Sequence, residues 1–168
     1  MDFRRDILPL KNIVFRTALR IVLSREEAED IVQDTLLKLW EKRDELHKVE
    51  NLEAFALTMA RNLALDRTAK KEAENVSLEE DKHDRPDDTT GEADTPMTRL
   101  EASSFVAGII NSLPEKQRTI LQLRDIEGKN YKEIANLLSI SESDVKVTLF
   151  RARNTLKEKI LQKRELFL

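Results

Sequence analysis

The chain has 168 residues, of which 36% are charged, with three glycines, four prolines and no cysteine. So few turn-forming residues argue against a sandwich or barrel and favour helices, and the missing cysteines exclude disulfides and thiolate-ligated metals. No apolar run approaches the ~18 residues that span a membrane, and no signal-peptide pattern opens the chain. We therefore expect a cytoplasmic protein with no membrane insertion, and no cofactor or metal.

The net charge of −3 is unevenly distributed along the chain. Residues 1–70 hold 13 Lys and Arg against 13 Asp and Glu, residues 71–104 hold 4 against 11, and residues 105–168 hold 12 against 8. The acidic segment, residues 72–96, lacks the apolar residues that would offset its ordering entropy. We interpret it as a flexible linker between two small helical domains, residues 1–71 and 97–168. The sequence is compatible both with an inert spacer and with a segment that uses its acidic residues for a function.

The sequence pattern of the first domain predicts three helices. Apolar residues recur at helical spacing up to residue 22, and Pro9 places the start of the first helix close to it. Ser24 to Glu27 forms a capping box that opens a helix over residues 25–46. Asn51 caps a third helix over residues 52–71, whose inward stripe is predicted to be Leu52, Phe55, Met59 and Leu63.

The second domain has clearer start and stop signals. A helix over residues 97–111 is followed by Pro114, which opens another that runs to about Glu127, where Gly128 ends it. A short helix over residues 131–138, the turn Ser139-Ile140-Ser141 and a last helix over residues 142–163 form a helix-turn-helix pattern.

The last helix carries the strongest functional signal. Its inward stripe is Val145, Leu149, Ala152 and Leu156, and it bears seven basic residues: Lys146, Arg151, Arg153, Lys157, Lys159, Lys163 and Arg164. A basic helix after such a turn fits the major groove of DNA, although the same face on an ordinary helix would simply be solvated. Catalytic motifs are absent, so we expect a protein that is not an enzyme.

Several motifs, taken in order, resemble the sigma factors of RNA polymerase in the extracytoplasmic-function (ECF) group. Glu26 to Trp40 (EEAEDIVQDTLLKLW), Asn51 to Phe55 and Met59 to Asp66 resemble conserved region 2. Leu113 to Arg118 (LPEKQR), Tyr131 to Ala135, Val145-Lys146 and Arg151 to Arg153 resemble region 4. The resemblance covers roughly residues 5–71 and 97–162, and it implies a promoter-recognising subunit that binds core RNA polymerase.

The resemblance also implies roles for matched positions. The face that would dock on the polymerase β′ subunit is Asp30, Gln33, Asp34, Leu37 and Glu41. Contacts to the −10 promoter element would come from Arg61, Asn62, Asp66, Arg67 and Lys70. Contacts to the −35 element would come from Tyr131, Lys132, Ser141, Ser143, Lys146, Thr148, Arg151 and Arg153.

Other implied features involve partners. Region 4 would also dock on the β flap, the loop from His47 to Asn51 would receive a base taken out of the DNA stack, and the acidic linker would imitate nascent RNA. We expect a chain that is monomeric when free, with an anti-sigma factor as a possible inhibitor. Bound to core polymerase and promoter DNA, it would direct transcription initiation.

Three positions in the second domain depart from the family pattern. Ser139 stands where relatives usually have Gly, at a cost on the order of 1 kcal/mol if the backbone there is left-handed. Val147 and Thr148 stand where relatives commonly have Ser-Arg, and Thr148 is predicted to contact a thymine methyl group instead of a phosphate.

Other interpretations of the sequence predict different features. A response-type transcription regulator would need a receiver or ligand domain upstream, and residues 1–71 offer no α/β pattern for one. A helical adaptor that binds polymerase without DNA would make no use of Arg151 and Arg153. An enzymatic reading lacks any catalytic motif.

Overall fold

The computed structural model describes residues 1–77 and 99–166, and within them every regular element is helical. The main helices are α1 (Lys11–Val22), α2 (Arg25–Glu41), α3 (Leu52–Ser77), α4 (Arg99–Asn111), α5 (Glu115–Leu121), α6 (Tyr131–Leu138) and α7 (Glu142–Leu166). Short helical turns occupy Phe3–Ile7, Leu8–Leu10, Leu46–Lys48 and Gln122–Ile126. The predicted all-α fold of two helical domains is confirmed.

The chain enters α1 through a short 3₁₀ turn that contains Pro9, so the α-helix proper starts two residues after the proline. It ends at Leu23, which has a left-handed backbone (φ 59°) and donates its N–H to the carbonyl of Leu19 at 2.9 Å. Left-handed geometry at a helix end exposes the last carbonyls to other donors. In this protein Arg118 of α5 caps the end of α1, because it donates to the carbonyls of Arg20 and Ile21 at 2.6 and 3.3 Å.

Helix α2 begins as predicted and ends earlier. The hydroxyl of Ser24 accepts the N–H of Glu27 at 3.4 Å, which makes Ser24 the N-cap. The helix stops at Glu41 instead of residue 46, and Leu46 in the following turn is buried. Continuing the helix through these mostly charged residues would bury little, whereas the turn brings Leu46 into the core.

Helix α3 is longer than predicted and packs through smaller residues. Asn51 caps it, since its Oδ1 accepts the N–H of Ala54 at 3.0 Å. The helix runs to Ser77, about 39 Å at 1.5 Å per residue. The predicted inward stripe is only partly buried, and the fully enclosed residues are Ala56, Leu57, Ala60 and Ala64. Alanines at the contact allow α1 to pack closely against α3.

In the second domain the helix after Pro114 is interrupted. Helix α5 ends at Leu121 and continues as a π-helical turn, Gln122–Ile126. Gly128 follows with φ +73°, the left-handed conformation predicted for the residue that ends this segment. Helices α6 and α7 occupy the predicted positions, and α7 packs against both α5 and α6.

The two domains lie in contact with each other. Helix α1 packs on α5 and α3 packs on α6, and buried side chains of both domains form one apolar cluster. Residues 72–77 of the predicted linker belong to α3, and the remainder of that prediction lies outside the described residues. Among the described helices, none is both long and apolar enough to cross a membrane.

Candidate polymerase and nucleic-acid interfaces

The outer face of α2 is acidic with an apolar centre. Asp30, Gln33 and Glu41 are exposed, Asp34 is half-buried, and Leu37 keeps 56% of its surface exposed. The opposite face of the helix is buried in the bundle. A large exposed apolar side chain within a charged face is typical of a protein-binding surface. All five residues predicted to dock on polymerase therefore share one accessible surface.

Arg67 of α3 lies across this acidic face. Its Nη1 is 3.5 Å from Asp30 Oδ2, and its Nη2 is 3.3 Å from Asp34 Oδ2. One turn further along α3, Lys71 pairs with Glu27 of α2 at 2.8 Å. Arg67, predicted to contact the −10 element, is thus held at the predicted docking face, and the two predicted sites are contiguous.

The exposed line of α3 consists of Asn62, Asp66 and Lys70, which follow each other at i, i+4 and i+8. Arg61, also predicted to contact the −10 element, is directed elsewhere. Its side chain is 21% exposed, its Nη2 lies 3.8 Å from Glu115 Oε1 in α5, and its buried Nε has no hydrogen-bond partner within the described part of the chain. In this arrangement the second domain takes Arg61 away from the predicted DNA-facing line.

The helix-turn-helix is held by side-chain caps at both helix starts. Asn130 Oδ1 accepts the N–H of Glu133 at 2.8 Å at the start of α6, and Ser141 Oγ accepts the N–H of Asp144 at 3.0 Å at the start of α7. Between them Ser139 has φ 56°, a left-handed backbone that glycine adopts without strain. These contacts fix how α7 leaves the turn.

The outward face of α7 combines basic, polar and apolar side chains. Ser143, Lys146 and Arg151 are exposed, and Val147 and Phe150 between them are 47% and 66% exposed. Helix periodicity from the sequence did not assign Phe150 to this face. Exposed apolar groups beside cations suit a DNA groove, where thymine methyl groups lie among phosphates.

Thr148 does not belong to this face, which corrects the prediction from sequence. It is 7% exposed, and its hydroxyl donates to Asp144 Oδ1 at 3.1 Å. Asp144 also accepts from Lys116 Nζ at 2.8 Å, and this hydrogen bond lowers the pKa of the Asp144 carboxyl below its ordinary value. Thr148 is instead part of a structural network that ties α7 to α5.

Tyr131, at the start of α6, lies between two cations. The guanidinium carbon of Arg124 is 4.8 Å from the ring centroid, and Lys146 Nζ is 5.5 Å from it. Arg124 also donates to the carbonyl of Lys129 at 3.0 Å, which holds it over the ring. The sequence pattern did not assign Arg124 to the −35 site, and the structure adds it beside Tyr131.

The remaining predicted −35 residues differ in how available they are. Lys132 and Ser141 are exposed at the starts of α6 and α7. Arg153 forms a two-pronged ion pair with Asp125 of the π-helical turn, and that hydrogen bonding raises the pKa of Arg153. Contact between Arg153 and DNA would require it to leave or share this carboxylate.

Comparison with known protein families assigns both domains. The family model described as sigma-70 region 2 matches residues 7–74, and that described as sigma-70, region 4 matches residues 106–156. Together the two models cover more than half of the chain, in the order and at the positions of the two helical domains. The chain belongs to the sigma-70 family, in its ECF group.

Relatives of this sigma factor agree with the assignment. It is 28% identical to the ECF RNA polymerase sigma factor SigM of Bacillus subtilis, over 87% of each chain. It is also 28% identical to the probable RNA polymerase sigma factor RfaY of Xanthomonas campestris, over 98% of this chain but only 42% of that relative's length. The chain therefore spans less than half of the Xanthomonas protein.

A solved structure shows the same architecture. The sigma factor RpoE of Bartonella quintana, in complex with the anti-sigma factor NepR, superposes with a TM-score of 0.74 at 27% identity. The match covers 94% of this sigma factor and 95% of that chain. This sigma factor thus shares its fold with a relative that forms a complex with an anti-sigma factor, and its family acts in promoter-directed transcription initiation.

Sequence reasoning missed side chains that lie beside the predicted ones in this sigma factor. Arg124, Val147 and Phe150 join the region 4 surface, while Thr148 leaves it. For Thr148 the signal was present, since it lies three residues after the buried Val145 and one before the buried Leu149. Nothing in the local sequence assigned Arg124 to this surface, because only the fold brings it next to Tyr131.

Proposed function

We propose that this sigma factor binds core RNA polymerase in the cytoplasm and directs it to promoters by contacting both the −35 and the −10 elements. The polymerase performs the chemistry, and the sigma factor acts by binding and is not itself an enzyme. Residues 1–71 and 97–168 carry its two functional domains, and the acidic segment over residues 72–96, whose first six residues extend α3, joins them.

The outward face of α7 is the observation that carries the −35 assignment. Lys146 and Arg151 supply charge for phosphates, and Val147 and Phe150 supply apolar contacts for base edges. Lys132, Ser141 and Ser143 are exposed near the helix starts, where backbone N–H groups also favour phosphate. Tyr131 and Arg124 border this face, and Arg153 contributes once it is released from Asp125.

We assign the exposed line of α3 to contact with the −10 element. Asn62 and Asp66 carry groups that hydrogen-bond to bases, and Lys70 lies one turn beyond them for a phosphate. Arg61 and Arg67 join the surface when they separate from Glu115 and from the α2 carboxylates. The loop from His47 to Asn51 is assigned to receive an unstacked base.

The acidic face of α2 is assigned to the β′ subunit of polymerase. Asp30, Asp34 and Glu41 surround the exposed Leu37, which gives a charged rim around an apolar centre. Such a rim complements a basic partner and accelerates association with it. Region 4 is assigned a second contact, to the β flap.

Reconstituted transcription tests the proposal. The purified sigma factor added to core polymerase should initiate transcription at defined positions on a library of genomic fragments, read by sequencing transcript 5′ ends. A variant with Lys146→Ala and Arg151→Ala is the matched control, and it should lose initiation at promoters that depend on a −35 element. Transcript ends as scattered as those from core polymerase alone would refute the proposal.

Regulation by an anti-sigma factor is also part of the proposal. The Bartonella relative is bound by such a protein and shares the fold over both domains. An inhibitor of this kind would cover the surfaces assigned to polymerase. A purified partner should reduce transcription in the reconstituted system, and the reduction should be overcome by excess sigma factor.

A further inference from the structure

A cavity of about 380 Å³ has one wall in region 2 and the other in region 4. The region 2 wall consists of residues from the loop before α3 and from the first two turns of that helix. The region 4 wall consists mainly of residues from α6. Ligand pockets in proteins have volumes of about 300–1,000 Å³ and often lie where domains meet. The size and place of the cavity therefore suit a small molecule.

Most of the cavity wall is apolar. Leu57 and Ile134 are fully buried, and Phe55 and Leu137 are half-buried. Water gains few hydrogen bonds against such a wall, so an apolar ligand displaces it at little cost. Phe55 also offers an aromatic ring for stacking. The walls therefore favour a ligand with an aromatic or aliphatic body.

The charged residues of the lining are two carboxylates and one ammonium group, Glu53, Glu133 and Lys129. Lys129 pairs with Glu53 across the two domains. Glu133 Oε1 accepts a hydrogen bond from the neutral amide of Asn130 at 2.8 Å, and no cation in the described part of the chain forms an ion pair with Glu133. The lining thus has one negative charge more than it has positive charges.

Other polar groups of the lining already have partners within α3. Asn51 Oδ1 accepts the N–H of Ala54 at 3.0 Å, and the Thr58 hydroxyl donates to the carbonyl of Ala54 at 2.9 Å. The Glu133 carboxylate is therefore the group that remains to bind a charged donor. A protonated amine supplies both the hydrogen bond and the opposite charge. Because Glu133 is exposed, the amine keeps part of its hydration, and its charge is not fully buried.

We propose that this cavity binds a small molecule that combines an aromatic or aliphatic body with one protonated amine. The amine pairs with Glu133, and the body lies against Phe55 and Leu137. This site is additional to those assigned to polymerase and promoter. Of its lining, Val49 and Asn51 belong to the loop assigned to a DNA base, and no lining residue belongs to the α2 docking face or to the −35 face.

The position of the cavity gives such a ligand a physical effect on the chain. A ligand that contacts both walls binds only the folded chain in which both walls are in place. It therefore stabilises that state by mass action. The expected consequence is a midpoint of thermal unfolding that rises with the concentration of the amine.

Three naphthalene derivatives, titrated into the full chain, test the site. The test ligand is 2-(naphthalen-2-yl)ethylamine, and the matching alcohol and naphthalen-2-ylacetate keep the same ring with a neutral or negative group. Nuclear magnetic resonance should show saturable binding of the amine, with shift changes at Val49 and Phe55 on one wall and at Leu137 on the other. The alcohol should bind more weakly, and the acetate most weakly, because Glu133 repels it.

Two variants assign the ends of the ligand. Glu133→Gln should weaken binding of the amine by about threefold, as expected for an exposed ion pair, and leave binding of the alcohol unchanged. Leu137→Trp places a larger side chain at the cavity and should abolish binding of both. Glu142→Gln is the control, since Glu142 is an exposed carboxylate outside the lining, and it should bind the amine as the wild type does. Circular dichroism confirms that each variant is folded.

The outcomes decide the proposal without reference to transcription. Shift changes scattered over the surface, or an equal rise in the unfolding midpoint of the wild type and Leu137→Trp, would overturn the site. Equal affinity for the amine and the acetate would overturn its preference for a cation, as would a Glu133→Gln variant that binds the amine like the wild type. Failure to direct transcription would overturn the proposed function and leave the measured binding intact.

Discussion

At the scale of single residues, Ser139 in the turn before α7 adopts a backbone conformation that is unfavourable for serine. Ser139 adopts φ 56°, and its N–H and that of Ile140 both donate to the carbonyl of Ala135. This pattern ends α6 and aims the chain into α7. Residues with a Cβ atom are strained in this backbone conformation, and packing of the two flanking helices keeps Ser139 in it.

Replacing Ser139 with glycine should stabilise the protein. We expect Ser139→Gly to raise the free energy of unfolding by about 1 kcal/mol, because glycine adopts the left-handed backbone without strain. Urea denaturation followed by circular dichroism measures the change. Ser141→Ala is the counterpart, since it removes the N-cap of α7 and should cost about 1 kcal/mol. Equal stability of Ser139→Gly and wild type would show that the turn is unstrained.

At the scale of elements, α7 divides its residues between the core and an exposed face that we propose contacts DNA. We expect Arg151→Ala to reduce initiation at −35-dependent promoters by about tenfold or more, since it removes a charged contact from the exposed face. Lys157→Ala, exposed further along the same helix, should have a smaller effect. Reconstituted transcription on several promoters provides the measurement, and unaltered activity of Arg151→Ala would require a different contact face.

Helix α2 presents a separate surface, and one carboxylate on it tests that surface. Asp34→Lys should weaken binding to core polymerase by about tenfold or more, because it puts a positive charge opposite a basic partner and frees Arg67. Glu26→Lys, exposed in the first turn of the same helix, is the matched control. Fluorescence anisotropy with labelled protein measures affinity. Loss of binding in the control alone would move the docking surface toward the start of α2.

Local patterns predicted the elements well and their edges less well. The caps at Ser24 and Asn51 act locally and mark helix starts in the structure as they do in the sequence. The early end of α2 follows from burial of Leu46, which depends on neighbours distant in sequence. Thr148 was misassigned because its contact was carried over from the family position that it matches, although its spacing from Val145 points inward.

At the scale of the whole molecule, acid should weaken the contact between domains. The pKa of Glu127 is lowered in the folded protein, so its contribution to stability is present above its ordinary pKa of about 4.3 and is lost as pH falls through the lowered value. The groups facing it are Arg16 from α1 and Gln122 from its own segment. The thermal stability of the wild type should therefore fall more between pH 5 and 3 than that of Glu127→Gln, measured by calorimetry.

The contact between domains was not predictable from the sequence. Helical periodicity marks apolar faces, but a polar pair such as Arg16 and Glu127, 111 residues apart, leaves no periodic signal. The family resemblance assigned each domain by itself. The acidic segment between the two domains indicated that they are separate units. The packing of α1 on α5 follows from surface chemistry that only the folded chain brings together.

The cap that Arg118 places on α1 has a consequence for cooperativity. The carbonyl of Arg20, in the last turn of α1, accepts a hydrogen bond from a residue nearly one hundred positions later, so detachment of α5 would remove this donor from the end of α1. A substitution at Arg118 would loosen a helix in the other domain, and a truncated region 2 would lack this cap altogether. We therefore expect the free protein to unfold as a cooperative unit that is larger than either region matched by a family model.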